Sequence, residues 1–417
     1  MTANGEVRRL PPPLVLFLIG QIALVSISLL FMWAAKYRWN GGNVGPGFPY
    51  PFGLRWWHDY TVFQERFRFL HSTTFFSDSV PGEPFEYPAA AALVYCSFYA
   101  IPAGLAAFLA LTFGSVAGLA CWLARAMERR GLNIWRTALF VVVSLALSYP
   151  FWFAFATGNI EICIFLLLAA GLIALLLGRP LIAAMLFGVI GAMKIFPLVF
   201  LALLIPQRRS RAIAAGLGTA IGLNVVALWV LCPNIGYASR GIAAGLAVNR
   251  AVYILPFKPL NTSADHSLIG FAKRLLHEFG VNHLSAAVLA MYLAVAAAVG
   301  LLVYFFNIRK LPVLNQILLL TIVAVLLPPT SHDYTLIHLY IPWALCVLYL
   351  LDGEGTRNLR GMSSAFICFA VIFSPEYMLM YHGVGFSAQV KCIALVVLSL
   401  LAVLNPWTKV DGLIDQS

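Results

Sequence analysis

Apolar runs of roughly 20 residues recur along this chain, from Leu14 in the first run to Asn405 in the last. A run of that length crosses a bilayer as a helix, because a helix satisfies its own backbone polar groups in lipid. Hydrophobic residues make up 61% of the 417 residues and charged residues only 10%, which leaves too little polar cover for a soluble domain. The sequence therefore predicts an all-α polytopic membrane protein.

The net charge of +11 bears on the partners. The basic residues are spread over short loops, which fits contact with anionic lipid headgroups better than nucleic acid binding. We therefore expect membrane lipids as partners and no nucleic acid. The first apolar run is interpreted as a retained span, because Trp33 stands where cleavage of a signal peptide needs a small residue.

The distribution of Lys and Arg predicts the orientation of the spans. Arg8 and Arg9 place the N-terminus in the cytoplasm, and basic clusters at 125–136, 208–211 and 357–360 mark further cytoplasmic loops. The C-terminus is then cytoplasmic too, and the short loops with few Lys favour a bacterial inner membrane. Ten crossings are expected, near residues 14–34, in a stretch ending at Arg125, and near 135–156, 158–178, 211–231, 285–306, 313–328, 335–351, 362–380 and 388–405.

The segment 181–206 does not fit a single crossing, since that would place Arg208 and Arg209 outside. Lys194 and Pro197 lie at its centre, where proline removes a helix donor and lysine resists burial. A helical hairpin of two short arms resolves the conflict, with Lys194 near its tip and lining a cavity. The alternative is a proline-kinked helix with a lysine that extends to the surface.

With this orientation, the titratable groups gather on the outer face. Most carboxylates lie there, led by Asp59, Glu86 and Asp333, and all eight histidines lie outside or within a turn of that surface. The histidines are His58, His71, His266, His277, His283, His332, His338 and His382. This asymmetry favours chemistry or binding at the outer face over conduction through the middle of the protein.

The first outer loop, residues 36–88, contains an amphipathic pattern. From Asp59 onward, Tyr60, Phe63 and Phe67 recur at helical spacing, which predicts a helix lying on the membrane with its aromatic rings at headgroup depth. Asp59 falls at the start of this helix. Its carboxylate is either a helix cap or a functional group, and the pattern leaves both interpretations open.

Three further outer segments carry candidate residues. Glu161 lies barely inside a span, either as a functional carboxylate or as a hydrogen-bonded structural one. The second large outer loop, 232–284, holds His266 and a predicted helix through Arg274. Pro328 and Pro329 extend the backbone before His332 and Asp333. No metal-binding spacing is present, so we expect a polar cluster, no metal and no cofactor. A carboxylate with nearby cations suits the handling of a lipid-linked phosphate.

Several stretches in this order resemble glycosyltransferase family 87, the polyprenol-phosphate-mannose-dependent mannosyltransferases of the GT-C superfamily. They are Asp59-Tyr60 with Phe85-Glu86-Tyr87-Pro88, Gly158-Asn159-Ile160-Glu161, Gly191-Ala192-Met193-Lys194-Ile195-Phe196-Pro197, and Pro328-Pro329-Thr330-Ser331-His332-Asp333-Tyr334. In addition, His266-Ser267-Leu268-Ile269-Gly270 with Arg274 resembles the family's N-Q-S-L-x-G…R stretch, with His266 in place of Gln.

The resemblance implies one GT-C-like domain over residues 1–417, with a bundle of about ten spanning helices, the hairpin 181–206 and outer-face amphipathic loop helices. It also implies inverting transfer of a sugar, mannose in the first instance, from a polyprenyl-phosphate donor to a lipid or glycan acceptor at the outer face. Asp59 matches the family's general base. The expected donor-phosphate ligands are Lys194, His332, Arg274 and His266, and the expected substrate contacts are Tyr60, Glu86, Tyr87, Asn159, Glu161 and Asp333.

Two other functions fit a membrane protein of this composition. One is a transporter or flippase for lipid-linked sugars, which needs polar groups along the depth of the bilayer. Deep positions here are nearly all apolar, with Lys194 and Glu161 as exceptions near the outer side. The other is a factor that binds glycolipid without catalysis, which would tolerate replacement of Asp59 by asparagine.

Overall fold

Helices make up nearly the whole of the described chain. The computed structural model describes residues 9–37, 56–76, 87–257, 264–353, 359–375, 380–381 and 384–407. The α-helices in these residues are Pro12–Tyr37 (α1), His58–Thr61 (α2), Gln64–Phe67 (α3), Ala89–Tyr99 (α4), Gly104–Arg129 (α5), Ile134–Ala146 (α6), Tyr149–Thr157 (α7), Glu161–Leu176 (α8), Pro180–Met193 (α9), Ser210–Leu231 (α10), Ile235–Asn249 (α11), Leu268–Glu278 (α12), Ala286–Phe306 (α13), Val313–Leu326 (α14), Tyr340–Leu351 (α15), Leu359–Ile372 (α16) and Ser387–Leu404 (α17).

Shorter elements complete the description. The 3-10 helices are Thr73–Phe76, Phe196–Leu204, Ile308–Lys310 and Asp333–Leu339, and Arg250–Ile254 is a π-helix. A two-residue hairpin pairs Met380–Tyr381 (β1) with Val384–Gly385 (β2) in antiparallel register. The fold is a helical polytopic membrane protein, which confirms the predicted class.

The lengths of the helices refine the predicted crossings. Among the described residues, six helical segments are long and apolar enough to cross a membrane, if the 3-10 helix Asp333–Leu339 and α15 are counted as one segment. The number is seven if the bent pair α6 and α7 also counts as one span. Each predicted crossing coincides with a helical segment. However, α8, α14 and α16 have only 16, 14 and 14 residues, fewer than the roughly 20 that cross a bilayer core upright.

Two predicted spans differ from the structure in shape. The expected span 135–156 is bent by 51° between α6 and α7, because Pro150 cannot continue the backbone ladder of α6 and begins a new helix. The expected span 362–380 is too long, since α16 ends at Ile372 and Pro375 follows.

One span lies at the centre of the bundle. In the apolar 18-residue stretch of the segment Asp333–Leu351, 89% of the residues are buried, compared with 6% in the corresponding stretch of the segment Ala286–Lys310 that contains α13. Trp343 on α15 packs against Phe17 of α1 and Phe140 of α6, with ring centroids 5.5 and 5.9 Å apart. The centre is therefore a close-packed apolar core, and α13 stands at the periphery.

Residues 181–206 form the predicted hairpin of two short arms. Helix α9 ends at Met193, and the 3-10 helix Phe196–Leu204 returns along it, with the rings of Phe187 and Phe200 5.8 Å apart. The reversal occurs at Lys194, whose backbone is extended. Helix α10 then packs closely against α9, and the Asn224 side chain of α10 donates to the carbonyl of Ala192 at 3.1 Å.

The segment after Asp59 is helical as predicted, but the helix is interrupted and the predicted position of its aromatic rings at headgroup depth is wrong. Two four-residue helices, α2 and α3, replace one continuous helix, and the rings of Tyr60 and Phe63 are buried in the protein rather than placed at headgroup depth. Tyr60 packs against Tyr99 and Phe108, with centroids 5.0 and 5.3 Å apart. Aromatic residues at helical spacing can cover either the lipid or an apolar surface of the protein. Here they cover the packed face of α4 and α5.

The contact between α9 and α10 depends on glycine. A methyl group added at Gly188 would overlap the backbone carbonyl of Gly216, whereas one added at Gly218 of the same helix pair would meet nothing within 4 Å. We expect Gly188→Ala to lower the free energy of unfolding by about 1–3 kcal/mol. Gly218→Ala is expected to be neutral or slightly stabilising. Thermal unfolding in detergent compares the two, and equal midpoints would contradict this account of the packing.

Candidate functional site

Asp59 lies in the first turn of α2, with its carboxylate directed at α8. The Asn159 side-chain amide donates to Asp59 Oδ2 at 2.6 Å. The N-cap of α2 is Trp57, in the left-handed conformation at φ 57°, so Asp59 is not the cap. The interpretation of Asp59 as a helix cap is therefore wrong, and its carboxylate instead accepts from Asn159.

The turn before α8 holds α2 in this place. The Trp57 amide donates to the carbonyl of Ala156 at 2.6 Å, which joins α2 to the end of α7. Gly158 ends α7 with φ 67°, and a Cβ there would lie 2.9 Å from the Cβ of Tyr60. Glycine suits this position because it adopts positive φ without strain and allows α2 to approach the turn.

The environment of Asp59 changes its acidity. Loss of water contact by burial raises its pKa above the ordinary value, and this effect outweighs several that lower it. The strongest of those is the hydrogen bond from Asn159, followed by the charges of His58, Lys194 and His332. Asp59 is consequently a somewhat stronger base than an ordinary aspartate, and it lies within electrostatic reach of two cations proposed for phosphate.

Asn159 joins Asp59 to the start of α8. Its side-chain oxygen accepts from the backbone N–H of Glu161 at 3.0 Å, while its amide nitrogen donates to Asp59. Asn159 itself is fully buried. It was predicted to contact substrate, and the structure places it as a bridge between Asp59 and α8.

Glu161 is a buried carboxylate with two basic partners. Its Oε1 accepts from Lys194 Nζ at 2.6 Å, and its Oε2 lies 2.6 Å from His338 Nε2. An ionised carboxylate only accepts, so the tautomer of His338 with its proton on Nε2 fits this contact. The three side chains join α8, the hairpin tip and the 3-10 helix Asp333–Leu339.

Lys194 stands at the tip of the hairpin between two aromatic rings. Its Nζ lies 5.6 Å from the ring centroid of Tyr87 and 5.2 Å from that of Tyr334. Such rings stabilise a cation by their negative faces. Its side chain is 23% exposed, so it is neither a buried structural lysine nor a surface one.

A cavity of about 580 Å³ opens beside Lys194 and is called the Lys194 cavity below. Its polar lining includes Tyr87, Glu161, Lys194, His332, Tyr334 and His338. Its apolar lining includes Ile164, Leu168, Phe196, Phe200, Leu246 and Ile254. One end of the cavity therefore suits an anion and the rest suits a hydrocarbon.

Two apolar cavities of about 300 and 460 Å³ continue from it between the second hairpin arm, α13 and α14. The first shares Phe196 and Ala324 with the Lys194 cavity, and the second shares Val199 and Leu327 with the first. Together they form the apolar groove, which leads from the cations along the hairpin. The peripheral position of α13 leaves room for it.

In the segment 328–335, some of the predicted residues line the cavity and others do not. His332 and Tyr334 line the Lys194 cavity. Asp333 is buried behind it, with Oδ2 2.6 Å from Lys391 Nζ and Oδ1 3.4 Å from His266 Nδ1. Asp333 pairs with Lys391, and neither Asp333 nor His266 belongs to the described lining of the cavity. Their predicted roles in substrate and phosphate binding stay predictions.

Three more predicted residues lie apart from the cavity or outside the description. Arg274 pairs with Glu278 at 2.8 Å, stacks on Phe386, and is absent from the described cavity lining. Tyr60 belongs to the apolar core. Glu86, like His382, lies outside the described residues.

The sequence interpretation missed Lys391 and gave His338 no role in substrate binding. Lys391 is a single lysine within the apolar run 388–405, and an ionisable residue at such a position is a signal for a buried partner. His338 lines the cavity and contacts Glu161. Its spacing from His332 by six residues carries no motif, so the sequence offers no comparable signal for it.

Comparison with known proteins identifies one family. The model of glycosyltransferase family 87 matches residues 85–329, which is 245 of the 417 residues. The matched range includes Asn159, Glu161 and Lys194, and it ends just before His332. No curated protein and no solved structure matches the chain.

The ion pair of Lys194 with Glu161 yields a stability prediction. Lys194→Met leaves a buried carboxylate with His338 as its remaining basic partner, so we expect a loss of about 2–3 kcal/mol, at or below the range for a fully buried pair. Arg68→Met breaks an exposed pair with Glu65 and is expected to cost less than about 1 kcal/mol. Thermal unfolding in detergent provides the measurement. A Lys194→Met variant as stable as Arg68→Met would contradict the prediction.

Proposed function

The chain belongs to glycosyltransferase family 87, and from that premise we propose that it transfers a sugar from polyprenyl phosphate to a hydroxyl group of a lipid or glycan acceptor. Membership makes it a membrane glycosyltransferase. The donor, the sugar and the acceptor are our proposal, with mannose as the first sugar to test.

The observation that carries the proposal is that one cavity contains both basic side chains and a hydrocarbon surface. Lys194 and His332 line its polar end, and the apolar groove continues from it. A polyprenyl phosphate has the same two parts, an anionic head and a long apolar chain. An ammonium group has three N–H donors, so the bond from Lys194 to Glu161 is compatible with further bonds to phosphate oxygens.

Asp59 suits the role of general base on the other side of the sugar. It is separated from the Lys194 cavity by Asn159 and the start of α8, and it is absent from the described cavity lining. An inverting displacement needs this separation, because the attacking hydroxyl and the departing phosphate occupy opposite faces of the anomeric carbon. A sugar lying across the N-terminus of α8 would reach both.

In the proposed step, the Asp59 carboxylate removes the proton from the acceptor hydroxyl, whose oxygen forms a bond to the anomeric carbon. The bond from that carbon to the phosphate oxygen breaks, and its electron pair leaves with the polyprenyl phosphate. Lys194 and His332 stabilise the charge that develops on the phosphate. The raised pKa of Asp59 favours proton transfer to it. No cofactor and no metal are assigned in this proposal.

We also propose that the reaction occurs on the periplasmic face of a bacterial inner membrane. The support is the distribution of basic residues, which places both termini and the Arg-rich loops in the cytoplasm. In the structure, Arg130 and Asp352 join the ends of α5 and α15 away from Lys194. This arrangement agrees with an Arg-rich cytoplasmic end and a site at the opposite end.

The first test is sugar transfer by the purified full chain in detergent. Radiolabelled polyprenyl-phosphate-mannose serves as donor and crude membrane glycolipids as acceptors, with EDTA present. We expect wild type to form product and Asp59→Asn to lower kcat by about 10²–10⁴-fold. Glu65→Gln, an exposed carboxylate of the same segment paired with Arg68, is the matched control and should retain activity.

Each result of this test has a distinct meaning. Equal product from Asp59→Asn and wild type would refute Asp59 as the base. No product with mannose, followed by product with another lipid-phosphate sugar, would correct the donor sugar. No transfer with any lipid-phosphate sugar, together with protein-dependent movement of those lipids across vesicles, would replace the proposal with a transporter.

The acidity of Asp59 yields a pH prediction. The base acts only when ionised, so kcat/KM falls as the pH falls through the pKa of Asp59, and burial places that fall at a higher pH than for an ordinary aspartate. Asn159→Leu removes a hydrogen bond that favours the ionised carboxylate. We therefore expect the acid limb of the pH profile of kcat/KM to move to still higher pH in Asn159→Leu.

The measurement is kcat/KM across the acidic range for wild type and Asn159→Leu. Asn133→Ala removes the N-cap of α6, which lies away from the site, and should leave the acid limb unchanged. A limb that stays in place in Asn159→Leu would show that Asp59 does not govern it.

A further inference from the structure

Neighbouring side chains in the segment Ser331–Thr335 have different surroundings. His332 and Tyr334 line the Lys194 cavity, and Tyr334 also covers the ammonium group of Lys194. Asp333, between them, is buried away from the cavity, against His266 just before α12 and Lys391 of α17. The position of the two cavity residues therefore depends on what holds Asp333.

Lys391 is the strongest partner of Asp333. It is 0% exposed on α17, and its Nζ lies 2.6 Å from Asp333 Oδ2 and 5.2 Å from the ring centroid of Tyr149. Removing two charges from water costs about as much as their attraction returns, so a buried pair of this kind is a poor source of stability. Such a pair can instead define geometry, because moving Asp333 away would leave the Lys391 charge buried without a carboxylate partner.

His266, which lies just before α12, contacts the same segment. Its Nδ1 lies 3.4 Å from Asp333 Oδ1, and its Nε2 lies 3.1 Å from Ser331 Oγ and 3.3 Å from Thr335 Oγ1. Burial lowers the pKa of His266, so the neutral ring is favoured. With its proton on Nδ1 facing the carboxylate, Nε2 accepts from a hydroxyl.

Backbone contacts complete the attachment. The Ser331 amide donates to Asp265 Oδ1 at 2.9 Å, and the His266 amide donates to the Ser331 carbonyl at 3.0 Å. The Thr335 side chain and amide both donate to the His332 carbonyl at 2.9 Å. The segment is thus bound at Ser331, Asp333 and Thr335, on both sides of each cavity residue.

We propose that Lys391, Asp333 and His266 form a positioning clamp that fixes His332 and Tyr334 at the polar end of the Lys194 cavity and so sets the affinity for the donor phosphate. The inference rests on the proposed function for the identity of the ligand. In the described structure none of the three clamp residues lines the cavity, so they are positioning rather than catalytic residues.

Paired charge removal tests the clamp. Lys391→Met leaves the Asp333 carboxylate buried without its main partner and should lower the thermal midpoint. The double variant Lys391→Met/Asp333→Asn removes both charges and should recover most of that midpoint. We expect its Kd for farnesyl phosphate, a short polyprenyl phosphate, to remain raised by on the order of tenfold, because small displacements at a site are costly.

A second readout does not depend on any ligand. Hydrogen–deuterium exchange of the amides in 330–335 should be faster in the double variant than in wild type. His266→Gln and His266→Leu provide a further pair if the double variant unfolds. The glutamine amide offers one donor group and one acceptor, like the neutral ring, so it should retain slow exchange and tight binding where leucine does not.

The matched control is Arg130→Met/Asp352→Asn, which removes the bidentate ion pair away from the cavity. It should change neither exchange in 330–335 nor farnesyl phosphate binding. Wild-type exchange and affinity in the charge-free double variant, or in His266→Leu, would overturn the clamp. If wild type itself does not bind farnesyl phosphate, the proposed donor site fails, and the exchange measurement alone decides whether the clamp orders the segment.

Discussion

The arrangement of this site depends on a carboxylate held out of water. Glu161 is 3% exposed and binds Lys194 on one oxygen and His338 on the other. A buried charge without partners would be far more costly than any single packing contact, so the elements that carry the two bases must meet α8. This requirement brings together a hairpin tip, the start of α8 and the segment before α15.

From that junction the site extends in two directions. On one side, Lys194 faces a cavity that continues as an apolar groove beside the peripheral helix α13. On the other, Asn159 connects the start of α8 to Asp59. A single residue, two positions before Glu161, thereby orients the proposed base relative to the proposed phosphate ligand. The position of Asp59 relative to α8 is therefore set by one short turn and two hydrogen bonds of Asn159.

The sequence predicted some parts of this site for physical reasons that hold locally. Lys194 beside Pro197, between two arginine-bounded ends, predicts a reversal because neither residue suits the middle of a span. The structure confirms a hairpin there. The prediction that the aromatic rings after Asp59 lie at headgroup depth was wrong for a different reason. Aromatic residues at helical spacing indicate an apolar neighbour, and periodicity does not say whether that neighbour is lipid or the rest of the protein.

Of the residues expected from their type to bind substrate or phosphate, some line the cavity and others have partners elsewhere. His332 reaches the cavity, whereas Arg274 pairs with Glu278 and Asp333 pairs with Lys391. Composition and charge by themselves determined the membrane class and the approximate spans, because both follow from transfer free energies of short segments. Which basic side chain meets which carboxylate was decided only by the tertiary structure, since residues far apart in the sequence, such as Glu161 and His338 at 177 positions and Arg130 and Asp352 at 222, pair across packed helices whose relative rotation no local pattern specifies.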